Sequence, residues 1–215
     1  MGPIFADIRV WIFDLDNTLY PPEARLFDQI ETLMHAYVMR ELDVSEAEAD
    51  HLRRRYWLDH GTTLAGLMAN HEAIDPHHFL REVHDIDLDH LTHDEALGAA
   101  IAALPGRRIV FTNGSRLHGE RVTAARGLSG VFDAIYGIED TGLIPKPRRA
   151  AFDAIFSREG IAGPEAAMFE DDARNLEVPH GMGLRTVLVS SEASERPAHV
   201  DFVTRDLGGF LSRLP

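Results

Sequence analysis

At 215 residues the chain is long for one domain and short for two full ones, which fits an α/β domain with an insertion or two small domains. Its 45% hydrophobic and 26% charged residues exclude a disordered or fibrous chain, and the lack of cysteine excludes disulfides, thiolate zinc sites and thiol nucleophiles. A net charge of −14 repels nucleic-acid backbones and anionic lipid, so neither a nucleic acid polymer nor a membrane is expected as a partner, and an anionic substrate would need a local cation.

No stretch approaches the ~18 uncharged residues of a membrane helix. Asp7, Arg9 and Asp14 stand where a signal peptide would be apolar, so the chain is expected to be cytoplasmic. The first apolar run, Val10-Trp11-Ile12-Phe13, predicts a strand buried on both faces. It leads directly into Asp14-Leu15-Asp16-Asn17-Thr18-Leu19. Charge placed there is costly unless a cation or hydrogen bonds meet it. A calcium loop would need glycine at its sixth position and glutamate at its twelfth, where Leu19 and Arg25 stand. A strand-end aspartate that merely caps a helix is the other reading.

From residue 22 to about 100 the pattern is helical. Leu26, Phe27, Ile30, Leu33, Met34, Tyr37, Val38 and Leu42 repeat at three and four, an amphipathic stripe. Ser45 with Glu48 forms a capping box for a helix toward Asp59, and Asp75-Pro76 opens another as N-cap and first residue. Thr92 with Glu95 is expected to cap the helix before the second strand. Thr62 is a plausible N-cap, with Gly61 and Gly66 flanking its helix. His71, His77, His78, His84 and His90 are dense, but no pair has ligand spacing with a third partner, so they read as helix-surface residues.

After the insertion, short apolar runs alternate with helical patterns. Strands are predicted at 109–111, 132–138, 166–169, 186–189 and 202–203, with helices at 116–126, 147–159, 173–180 and 206–213. That alternation argues a doubly wound parallel α/β sheet, whose ligands bind at the carboxyl edge. The second strand ends in Thr112-Asn113-Gly114-Ser115, where hydroxyl, amide and backbone N–H groups at a helix start make an anion site. Of 21 basic residues only Lys146 is lysine, in the loop Ile144-Pro145-Lys146-Pro147, which suggests that a compact ammonium is required there. The run before residue 170 ends in Glu170-Asp171-Asp172, and a divalent cation best explains three acids at a strand end.

Asp14, Asp16, Thr112, Lys146, Glu170 and Asp171 all fall at or just past predicted strand ends, and in this order the chain resembles the haloacid dehalogenase-like (HAD) hydrolases along its whole length. The resemblance implies a Rossmann-like core, residues 1–21 and 101–215, with an all-helical cap domain at 22–100. It implies Asp14 as nucleophile, Asp16 as general acid and base, Thr112, Asn113 and Lys146 on the phosphoryl group, and Mg2+ held by Asp14, Asp16, Glu170 and Asp171. Asn175 stands at its usual place after them. The family more often has Asp-Asp or Gly-Asp where Glu170-Asp171 stands, which leaves open whether Glu170 touches the ion. Carbon–halogen hydrolases of the superfamily lack an acid at the position of Asp16, so the resemblance favours phosphoryl transfer through an aspartyl-phosphate; a mutase would keep both acids.

The strings at 60–67, 83–87, 16–21 and 111–114 are similar to those of the pyrimidine 5′-nucleotidase branch. They imply a small phosphomonoester substrate of the UMP or CMP type, with phosphoglycolate or a sugar phosphate as the alternative. Thr63, His84 and Asp85 are candidates for base or ribose contact. A monomer or homodimer is expected.

Overall fold

A computed structural model describes residues 2–191 and 196–214. A short helix α1 (Gly2–Phe5) precedes β1 (Val10–Phe13). Five helices follow: α2 (Leu26–Leu42), α3 (Glu46–His60), α4 (Thr63–Asn70), α5 (Pro76–Val83) and α6 (Glu95–Ala102). The chain then runs through β2 (Arg107–Phe111), α7 (Arg116–Ala125), β3 (Ala134–Tyr136), α8 (Arg149–Glu159), β4 (Ala166–Glu170), α9 (Arg174–Gly181), β5 (Arg185–Val189), β6 (Phe202–Thr204) and α10 (Leu207–Leu211). No helix among the described residues is long and apolar enough to cross a membrane.

The strands form one sheet in the order β3-β2-β1-β4-β5-β6, all neighbours parallel. Successive strand residues face opposite sides. Trp11, Phe13, Val110, Phe169 and Val187 therefore join one core with Leu97, Val122 and Phe210 from α6, α7 and α10. Ile12, Ile109, Phe111 and Met168 join another with Phe152 and Leu176 from α8 and α9. Burial on both faces explains the unbroken apolar runs. Phe13 and Phe169 stack across the β1–β4 pair with centroids 4.8 Å apart. The strand order reverses at β1, and Phe13 is level with Val110 and Phe169, so the chains leaving β1, β2 and β4 open into one crevice at the switch point.

The helical cap stands over that crevice. Ser45 Oγ accepts from the Glu48 N–H at 3.3 Å, the serine half of the predicted capping box, and Asp75 Oδ1 accepts from the His77 N–H at 2.9 Å, as the sequence predicts. Thr62 Oγ1 likewise accepts from the Ala65 N–H at 3.1 Å. Three expectations change. Asp94 rather than Thr92 caps α6, accepting from the Leu97 N–H at 2.9 Å, while the Thr92 carbonyl accepts from Arg126. Gly66 lies inside α4 rather than flanking it, where α4 crosses α3 so closely that a Cβ would sit 2.2 Å from Tyr56 Cβ; Gly61, with φ +91°, ends α3. His84 is buried, not on a helix surface. Helix α6 packs against α10, on the sheet side of the insertion.

Candidate active site

Asp14 follows β1 directly and is pinned by its N–H donating to the Phe169 carbonyl at 2.9 Å. Lys146 comes in from the loop before α8, and the amide of Asn113 clasps its backbone at both ends. The Lys146 N–H donates to Asn113 Oδ1 at 2.8 Å, and Asn113 Nδ2 donates to the Lys146 carbonyl at 3.1 Å. The Lys146 ammonium is 1% exposed and donates to Asp14 Oδ1 at 2.7 Å, Glu170 Oε1 at 2.7 Å and the Phe111 carbonyl at 2.8 Å. An ammonium has three N–H groups, and all are used. Glu170 Oε1 also accepts from Asn175 Nδ2 at 2.8 Å and its Oε2 from the Asp172 N–H at 3.0 Å, so protein donors take most of its lone pairs. Asp171 Oδ2 accepts from Asn17 Nδ2 at 3.4 Å.

Asp14, Glu170 and Asp171 each bring an oxygen within 4.8 Å of the others. Three carboxylates around one ammonium leave excess negative charge in a buried place. Burial, then the neighbouring Glu170, push Asp14 up to about 8 and Asp171 up to about 9. Burial opposes the Lys146 ammonium, but Asp14 and Glu170 hold its pKa above the ordinary lysine value. An oxygen-only set of crowded, under-compensated carboxylates fits a hard divalent cation.

Asp16 stands apart from that cluster. Its Oδ1 accepts from Tyr20 Oη at 2.7 Å and faces His118 Nε2 at 2.9 Å. Burial pushes Asp16 upward, but His118 and Tyr20 outweigh it and hold the carboxyl at about 2. His118 lies in the first turn of α7, and its ring stacks on His84 with centroids 4.4 Å apart. His84 follows α5, with Nδ1 2.8 Å from the Leu80 carbonyl; burial, then His118, hold it at about 3, so it is neutral near pH 7. Thr112 Oγ1 accepts from the Gly114 N–H at 2.9 Å, and Ser115 Oγ caps α7 through the His118 N–H at 3.1 Å.

Asp14, Asp16, His84, Thr112 and Asp171 line a cavity of about 290 Å³ between sheet and cap, while His118, Tyr20 and Ser115 lie behind its wall. Its floor holds Asp14, Asp16, Thr112, Asn113 and Asp171, and its roof is mostly apolar, with Ile30, Met34, Trp57, Leu64 and Phe79. Thr63 and His84 also line it, whereas Asp85 is exposed outside it. Lys146 and Glu170 lie behind the floor, buried against Asp14. At the mouth, Arg174 pairs with Asp172 at 2.6 Å and lays its guanidinium over the Trp57 ring, 3.7 Å from the centroid, bridging α9 to α3. Sequence reasoning passed over His118, Tyr20, Trp57 and Arg174. A histidine or tyrosine near a strand end is too common to single out, and only their convergence on Asp16 marks two of them.

The haloacid dehalogenase-like hydrolase profile matches residues 8–201. Phosphate metabolism protein 8 of Saccharomyces cerevisiae is 26% identical over 195 residues, 84% of this chain and 61% of that protein, so the chain spans about three-fifths of the length of this curated relative. The fold is similar to that of CbbY of Rhodobacter sphaeroides in complex with phosphate, with a TM-score of 0.66 at 17% identity over 94% of this chain and 95% of that one. It is also similar to the HAD-hydrolase YfnB of Bacillus subtilis bound to magnesium, with a TM-score of 0.63 at 16% identity over 96% of this chain and 99% of that one. At these identities the two structures speak for the fold alone.

Proposed function

The chain belongs to the haloacid dehalogenase-like hydrolase family, and from that premise we propose that it hydrolyses phosphomonoesters through an aspartyl-phosphate on Asp14. What carries the reading is the meeting of Asp14, Asp16, Thr112 and Asp171 on the floor of one cavity, with Lys146 bonded to Asp14 from behind. Asp14 attacks phosphorus as its carboxylate, the form that a cation on its oxygens would favour, as the ester P–O bond breaks, and Asp16 hands a proton to the leaving alkoxide. Asp16 starts as a carboxylate; the anionic phosphoryl group arriving beside it favours its protonated form, and it takes up from solvent the proton that it gives to the alkoxide. In the second step water bonds to phosphorus, the Asp14–phosphorus bond breaks and Asp16 takes the proton of that water, which it returns to solvent as phosphate leaves. Thr112, with the Asn113 main chain, would orient the phosphoryl oxygens, and Lys146 keeps positive charge against the nucleophile. Magnesium, held by Asp14 and Asp171 with Glu170 behind them, would screen the nucleophile from its anionic substrate and polarise a phosphoryl oxygen when bound.

A nucleoside monophosphate of the pyrimidine type is the substrate we favour. The apolar roof suits a flat base better than a polyhydroxylated sugar, and Thr63 and His84 supply a few polar contacts there. A panel of monophosphates assayed with Mg2+ and with EDTA tests both levels. UMP or CMP should be turned over best, and Asp14→Asn should lose all turnover while keeping its circular dichroism spectrum. Full activity in that variant rejects the mechanism; a best substrate without a base rejects only the nucleotidase assignment.

A further inference from the structure

We propose that His118 is a positioning residue: it holds Asp16 in the rotamer that presents its free oxygen to the leaving group. The proposal rests on the reading of Asp16 as proton donor and acceptor. His118 and Tyr20 both engage Oδ1 of Asp16, which leaves Oδ2 for the substrate side of the cavity that Asp16 lines. The imidazole is held on its own account. Ser115 caps the turn that carries it, and His84, from the cap, stacks on its face. The ring is 1% exposed, yet its Nδ1 has no hydrogen-bond partner among the described residues. A side chain present only to fill space would be apolar there, since an unsatisfied buried nitrogen is costly. The remaining nitrogen, Nε2, has Asp16 as its partner, and because a carboxylate oxygen only accepts, the ring donates through Nε2. Because His84 belongs to the cap, the ring that holds Asp16 is itself packed from the cap side.

The two half-reactions separate this role from a merely structural one. p-Nitrophenolate leaves without a proton, so the first step on p-nitrophenyl phosphate does not need Asp16, whereas the second step, and both steps on UMP, do. His118→Phe should release p-nitrophenolate in a burst stoichiometric with enzyme at close to the wild-type rate. Steady-state turnover of both esters should then fall about 10²-fold, within the range of general acid–base contributions; for p-nitrophenyl phosphate KM should fall with kcat as the phospho-enzyme accumulates, leaving kcat/KM unchanged, whereas for UMP kcat/KM falls. His118→Gln, whose amide can again donate to Asp16, should recover a large part of that loss. Turnover unchanged in His118→Phe, loss of the burst together with turnover, or a glutamine variant no better than phenylalanine overturns the role of His118. Wild-type protein that hydrolyses neither ester overturns the phosphatase reading, and this assignment with it.

Discussion

Lys146 uses every N–H of its ammonium inside the protein, which sets the terms for substitution there. Lys146→Met should leave Asp14 and Glu170 facing each other without their cation. Removing one member of a buried charged group costs about 3–5 kcal/mol. Urea unfolding in EDTA should show that loss, and activity should vanish with it. Arginine would not substitute, because a planar guanidinium cannot reach the same three acceptors from that sealed position. The solitary lysine was visible in the sequence, as were the acids, because residue type at a strand end is itself the signal. What each atom touches was not visible. Nothing in the order of residues says that the Asn113 side chain clasps the Lys146 backbone, or that Lys146, Asn175 and the Asp172 N–H take up most of the Glu170 carboxylate.

Among the elements, β1, β2 and β4 were readable because burial on both faces demands continuous apolar runs. Helix α2 followed from its stripe. Helix α4 was harder, since it is short and its glycine falls in mid-helix, where propensity argues against it. The packing supplies the reason: at Gly66 the backbone of α4 lies against Tyr56 of α3, and a Cβ would be 2.2 Å from that residue's Cβ. Gly66→Ala should therefore cost about 1–3 kcal/mol by overpacking, more than the ~1 kcal/mol that alanine gains in helix propensity. Thermal unfolding several degrees below wild type is the expected result. An unchanged or raised Tm would mean that the two helices separate at little cost. The misplaced cap at Thr92 has a similar origin, because the Arg126 guanidinium, which bonds the Thr92 carbonyl and Asp94, is remote in sequence.

On the scale of the whole molecule, fold and topology were legible while electrostatic balance was not, because net charge does not say where charge is crowded. In the metal-free protein Asp14 and Asp171 lie at about 8 and about 9 against an ordinary 3.8. Between that ordinary value and the raised ones, the folded chain holds protons that the unfolded chain has released. The stability tied to them is complete below about pH 3.8 and is lost as pH rises through 8 to 9. In EDTA, Tm should fall from pH 6 to pH 9. A divalent cation competes with those protons, so added Mg2+ should raise Tm more at pH 9 than at pH 6. Equal increments at both values would mean that these carboxyls do not bind the ion. The contact of Arg174 with Trp57 has a practical consequence of its own. The chain has two tryptophans: Trp11 is sealed at 1% exposure in the core, and Trp57 is 46% exposed at the seam between α3 and α9. Indole emission that responds to solvent comes from Trp57, so the protein has a built-in fluorophore that reports on the seam between α3 and α9 in real time, without a label.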